Sequence, residues 1–214
     1  MTAGPVAGPD AGGARRRRGR PVRKAAGDDA PGARDRILEA ARAEFADRGY
    51  DKASIRGIAK KAGVDPALVH HYFGSKDDLF VAALEVRVDP REALAPVVEG
   101  GVDGAGERLM RIFVAVWGDE ETRLPLMGLV RGLVDPGGQQ LVRDGFQKIV
   151  LGPLGAALGI DQPERRMAHV GSQLIGLVVV RHVLELEPLA SMPAEQVVAT
   201  YAPVIQGYLS GPLP

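Results

Sequence analysis

The sequence contains no cysteine. That excludes a disulfide framework and any thiolate metal or redox site, and makes an intracellular setting the simpler expectation. A long apolar run is missing as well: the longest, Leu174 to Val180 with Gly176 inside it, falls far short of the ~20 residues a membrane-spanning helix needs. The N-terminus carries charge with no apolar stretch behind it, so it does not read as a secretory signal. A soluble, cytoplasmic chain is expected. There is no Gly-x-Ser-x-Gly elbow, no phosphate loop closing on Gly-Lys-Ser/Thr and no His-Glu-x-x-His helix, so nothing proposes a nucleophile, an enzyme or a cofactor. Net charge is zero over 214 residues, but unevenly spread. Met1 to Asp89 holds 17 Lys and Arg against 13 Asp and Glu, and Pro90 to Pro214 holds 10 against 14. A basic front and an acidic back direct any polyanionic partner to the front.

What is present begins with an apolar fraction of 45%, enough for a sizeable core. Residues 1–32 are crowded with Gly, Pro, Ala and Arg, a composition that buries too little surface to offset chain entropy, and they read as a disordered basic arm. The densest charge cluster, Arg15 to Arg18 with Arg20, either solubilises the chain or meets DNA. Arg18-Gly19-Arg20-Pro21 resembles an AT-hook, which implies Arg18 and Arg20 as minor-groove contacts.

From Ala33 the apolar spacing becomes helical. Ile37, Leu38, Ala41 and Phe45 share a face, and Gly49 supplies a stop. Ser54 offers an acceptor to start a short helix that Gly63 ends in the left-handed position. Asp65 is a good N-cap and Pro66 suits the first helical position, predicting a third helix through Tyr72 that Gly74 closes. Ser75 with Asp78 resembles a capping box for a fourth helix. These elements define a domain over residues 33–80, followed by a second over 81–214. The second stays helical, without strand or hairpin signals, so the expected fold class is all-α. Breaks at Gly100 to Gly106, Asp135 to Gly138, Gly159 to Pro163 and Glu187 to Pro193 separate helices near Leu109–Trp117, Glu120–Val134, Gln139–Leu158, Glu164–Leu186 and Ala194–Leu209.

Two short helices joined by Gly63-Val64-Asp65 have the spacing of a helix-turn-helix, whose second helix enters the major groove. Within Tyr50 to Phe80, the stretches Ser54-Ile55-Arg56-Gly57-Ile58-Ala59 and Ala62 to Leu79 resemble the signature of the tetracycline-repressor (TetR) family. The resemblance covers roughly Arg34 to Val86. It implies a helix-turn-helix DNA-binding domain, a helical ligand-binding and dimerisation domain, a homodimer on a palindromic double-stranded DNA operator, and a small-molecule effector. By position it makes Ser54 a phosphate-binding N-cap and Arg56 a backbone or base contact. Asp65, Pro66, Ala67, Val69 and His70 take the exposed side of the recognition helix, and Tyr72 and Lys76 hold phosphate. His71 receives no role. Gly57, Ala67 and His70 depart from the common pattern of an acid, Gly and Tyr, so no operator sequence carries over. Locally, Tyr72 also reads as a core residue, Phe73 preferably so, and Lys76 as a solvated charge. His70 and His71 are not a metal pair, because adjacent helical residues point about 100° apart and no third ligand is near. No metal site is expected.

In the second domain the last two long helices are candidates for an isologous interface. Val170, Leu174, Leu177 and Val178 lie among small residues, and Val197, Tyr201 and Ile205 follow on the final helix; the same residues equally suit an intramolecular core. The family resemblance implies a cavity among the middle helices. Met110, Phe113, Val114, Trp117, Leu124, Met127, Phe146 and Ile149 suit its lining, though most suit a filled core too, and Gln173, Arg131 and His182 are candidate polar anchors. The function expected is a sequence-specific transcriptional regulator, a repressor released by an apolar or amphipathic ligand. The alternative is a non-specific architectural DNA-binding or helical interaction protein without an effector.

Overall fold

The computed structural model describes residues 32–131 and 136–213. The basic arm with Arg18 and Arg20 lies outside those residues. Every regular element among the described residues is helical.

The first helix, α1 (Ala33–Lys52), is broken at Gly49, whose φ of 73° is open to glycine and strained for other residues. Three short helices follow: α2 (Ile55–Ala62), α3 (Pro66–Phe73) and α4 (Lys76–Ala83). Each starts where a side chain takes up an orphan N–H. Ser54 accepts from the Gly57 amide at 3.1 Å and Asp65 from Ala67 at 2.8 Å, and Ser75 and Asp78 form a reciprocal capping box. Ile37, Phe45, Ile58, Leu79 and Phe80 are fully buried in one cluster, with Phe45 and Phe80 edge to face at 4.8 Å.

The second half begins with two single-turn helices, α5 (Pro90–Ala93) and α6 (Ala95–Glu99), then α7 (Ala105–Gly118) and α8 (Glu120–Arg131). The break expected at Asp135 to Gly138 is only partly realised. Asp135 is outside the described residues, and Pro136 opens a helix, α9 (Pro136–Asp144), where its missing N–H costs nothing. This helix runs on as a π-helical segment, Gly145–Leu151, into α10 (Gly152–Ala157). The chain ends with α11 (Pro163–Val178), a further π-helical turn Val179–Val183, and α12 (Ala194–Ser210).

The second cluster centres on α7, α11 and α12. Gly106 brings α7 against α12: a Cβ there would lie 2.5 Å from the Ala202 carbonyl oxygen. Its amide donates to the Gln206 side chain at 2.9 Å, and Gln206 donates back to the Val102 carbonyl at 3.0 Å.

Val170, Leu174, Leu177, Val178, Val197 and Ile205, expected at a dimer interface, are all buried in this cluster, with Tyr201 partly buried against it. They share one buried cluster with residues of α7 and α10, which makes them core of this chain rather than part of its surface.

Candidate nucleic-acid interface and effector cavity

The turn between α2 and α3 is set by Gly63 in the left-handed conformation at φ 67° and by Asp65 and Pro66 opening α3. The turn leaves one side of α3 exposed, with Ala67, His70 and His71 on it and Tyr72 at 43% exposure. Asp65 and Arg56 are exposed, Pro66 partly so, and Ser54 stays exposed while its hydroxyl caps α2. Val69 is a correction: at 1% exposure it points into the first cluster and reaches no base. The helical period places it opposite the exposed face. His70 Nδ1 donates to the Gly74 carbonyl at 2.8 Å, which leaves Nε2 as the ring nitrogen open to an outside partner. Gly57 has a structural reason. A Cβ there would sit 3.0 Å from a carboxylate oxygen of buried Glu44, which pairs with Arg48 at 3.2 Å.

Tyr50 gathers the residues behind this surface. Its ring stacks on Phe45 and meets Phe80 edge to face, its hydroxyl donates to Asp77, and the Lys76 ammonium lies 4.3 Å from its centroid. Burial, then the bond to Asp77, raises the phenol pKa. Burial lowers that of Lys76, opposed by Asp51 and Asp77. To meet a phosphate, Lys76 must leave the Tyr50 ring. Sequence reasoning missed Tyr50 as a junction, because its hydrogen-bond partners, Asp77 and Asp144, are 27 and 94 residues distant along the chain.

That longest link reaches the second domain. The Tyr50 amide donates to buried Asp144 at 2.6 Å, Gln140 donates to the same oxygen at 2.8 Å, and Lys148 pairs with Asp51. A Cβ on Gly145 would meet Phe80 and Leu84 at 3.2 Å. The α9 run and the π-helical segment thus lie directly against α1 and α4.

The other side of the same run faces a cavity of about 260 Å³, walled by α7, α8, α11 and the link from Leu84 to Leu94. Of the residues suited to a cavity lining, Phe113, Trp117 and Phe146 are on its walls. Five expected liners are not. Met110 is fully buried in the second cluster and Val114 packs against it, whereas Ile149 belongs to the first cluster. Leu124 is 61% exposed and Met127 half-buried, both away from the walls. Their phases on α7, α8 and the π-helical segment point them elsewhere. Leu174 and Val178, expected at a dimer contact, line the cavity instead, together with Ile112, Val116 and Leu129. Of the candidate anchors, Gln173, Arg131 and His182 are off the walls; His182 stacks on Trp117 at 5.3 Å. Arg87 is the lining cation that sequence reasoning passed over. Its one available signal was an isolated charge between Val86 and Val88.

An all-α chain with a capped helix-turn-helix ahead of a cavity-bearing helical domain has the build of a bacterial transcription factor. The profile of bacterial regulatory proteins of the tetR family matches residues 37–83, and that of the tetracyclin repressor-like C-terminal domain matches residues 103–209, half of the chain. The chain belongs to the TetR family, a family of transcription regulators rather than enzymes. It is similar to the HTH-type transcriptional repressor AcnR of Corynebacterium glutamicum, at 37% identity over 36% of this chain and 40% of that protein. It is also similar to the HTH-type transcriptional regulator BetI of Stenotrophomonas maltophilia, at 30% identity over 41% and 54%. The chain thus spans about half the length of the curated relatives it matches. Among solved structures, a TetR-family regulator from Streptomyces coelicolor A3 shares 38% identity over 86% of this chain and 99% of its own, with a TM-score of 0.46. Among the described residues no helix is long and apolar enough to cross a membrane, and no group of His, Cys, Asp and Glu is arranged to hold a metal.

Proposed function

We propose that this protein is a cytoplasmic homodimeric repressor that binds a palindromic operator through α3 and releases it when a small apolar or amphipathic ligand fills the cavity. One observation carries the reading: Gly145 and Phe146 line the cavity, and Gly145 also rests on Phe80 and Leu84 of the DNA-binding unit. A ligand that reshapes that wall shifts α4, and with it the pose of α3. Half-sites are read about one helical turn or a multiple apart, so a shift of a few ångströms spoils both contacts. A 100-fold loss of operator affinity needs a coupling free energy of roughly 2.7 kcal/mol, within reach of a few apolar contacts made in only one state.

Base readout falls to Asp65, Pro66, Ala67 and His70, with His71 beside them on the exposed face. Ser54, Arg56, Tyr72 and Lys76 take the backbone, Lys76 after leaving Tyr50. With the core residues excluded, the dimer contact passes to the outer faces of the last two helices: Ala168, Ser172 and Ile175 on α11, and Thr200, Val204 and Gly207 on α12. All are exposed, at i, i+4, i+7 spacing.

Footprinting the purified protein on its neighbouring promoters tests this. A palindromic footprint that is lost with Val204→Asp, alongside a change from dimer to monomer in sedimentation, supports the reading. Uniform coverage of any DNA would favour a non-specific architectural protein. Deleting residues 1–30 is expected to flatten the salt dependence of binding, since Arg15 to Arg18, Arg20, Arg23 and Lys24 release counterions; an unchanged slope removes the arm from the mechanism.

A further inference from the structure

The cavity walls are aliphatic and aromatic almost throughout, with Arg87 and Thr122 as the polar exceptions beside the Trp117 indole. The Thr122 hydroxyl is committed, since it donates to the Val116 carbonyl at 2.6 Å. Arg87 is differently placed. It sits on the link between α4 and α5, its side chain is 61% exposed, and its guanidinium pairs with Glu121 at 2.6 Å. Glu121 is itself 75% exposed and is not part of the walls.

We infer that the ligand is a small apolar monocarboxylic acid, whose tail fills the cavity and whose carboxylate takes Arg87 from Glu121. This rests on the reading of the cavity as the effector site. The exchange is inexpensive, because Glu121 returns to water while the ligand's carboxylate inherits the same planar, two-pronged donor. An exposed pair of this kind holds itself together only weakly. The opposite charge fares badly: no carboxylate lines the walls, so an ammonium head would lose its water beside a cation. A neutral head gains the tail's burial and nothing more.

Three probes of one chain length, octanoate, octanol and octylamine, separate these cases on the full chain by Trp117 emission, the sole tryptophan. Octanoate is expected to bind about tenfold more tightly than octanol, the low end for a hydrogen bond to a charged group, and octylamine more weakly than either. In Arg87→Gln the acid and the alcohol should bind alike. In Glu121→Gln, where Arg87 loses its internal partner, the preference for the acid should widen. Equal binding of acid and alcohol by the unaltered protein, or a preference surviving in Arg87→Gln, overturns the inference and leaves the cavity reading standing. If none of the three binds, the cavity reading falls and takes the inference with it.

Discussion

The DNA-binding unit and the domain behind it are held in shape by different means. In the first, helices of eight residues are each fixed at their ends by a side chain within three positions, Ser54, Asp65 or Ser75. In the second, α7, α11 and α12 have no side-chain cap at the N-terminus and depend on mutual packing. Short helices are marginal without local termination, whereas long ones take their stability from the faces they bury. The first design suits a surface that must keep its shape alone against DNA. The second leaves room for a cavity, because packing between long helices can shift without any cap being broken.

Substituting glycines in the two regions should expose this contrast most strongly. Gly106→Ala would drive a Cβ into the backbone of α12, and is expected to cost about 3 kcal/mol, the upper end for overpacking. Gly63→Ala meets no neighbour but must adopt φ 67°, at a cost of about 1 kcal/mol. Urea midpoints of the two variants compare them; a smaller loss at Gly106 would mean that α12 yields to α7 freely.

The junction between the regions comes next. Asp144→Ala strips the Tyr50 amide and the Gln140 side chain of their shared acceptor, and an orphaned buried donor costs about 2 kcal/mol. Beyond stability, the variant should bind effector normally by Trp117 emission yet release operator less completely. Full release would show that Asp144 lies off the coupling route.

The same contrast explains what was legible in the sequence. Every cap in the DNA-binding unit could be read, because Ser54 with Gly57, Asp65 with Ala67 and Ser75 with Asp78 are local chemistry. Val69 was misassigned because phase along an eight-residue helix is set by what covers it, here the buried cluster it shares with α2 and α4. Behind residue 90 the helices were found, but Leu174 and Ile205 look the same in sequence whether covered by this chain's own helices or by a second subunit. Apolar periodicity identifies a buried face and is silent on its cover. The start of α9 at Pro136 was obscured for a related reason: Pro-Gly-Gly marks a break locally, yet proline is well tolerated in a first turn.

Two neighbours on α3 should separate packing from readout. Val69→Ala removes two buried carbons and should cost about 2 kcal/mol without altering which DNA sequences are selected. His70→Ala should leave the urea midpoint nearly unmoved and shift the selected sequence. Selection from a random DNA pool with both variants checks the pair. A changed preference in Val69→Ala beyond its loss of folded protein would contradict its placement in the core.

The smallest effect concerns acid. Burial lowers the pKa of His182, with Arg181 and Arg123 acting in the same direction and Glu185 against them, so the folded protein holds the ring neutral and stacked on Trp117. A histidine depressed in the folded state binds its proton more readily once unfolded. Its contribution to stability is therefore complete above the unfolded value near 6.5 and declines as pH falls below it toward the folded value. The decline should be modest, because the ring is only partly buried. Titrating the protein downward from pH 8 should change Trp117 emission below pH 6.5, as the imidazolium forms or the stack opens, and His182→Phe should abolish that step while keeping a ring against the indole. A step of equal size in His182→Phe would assign the response to another group and remove His182 from it.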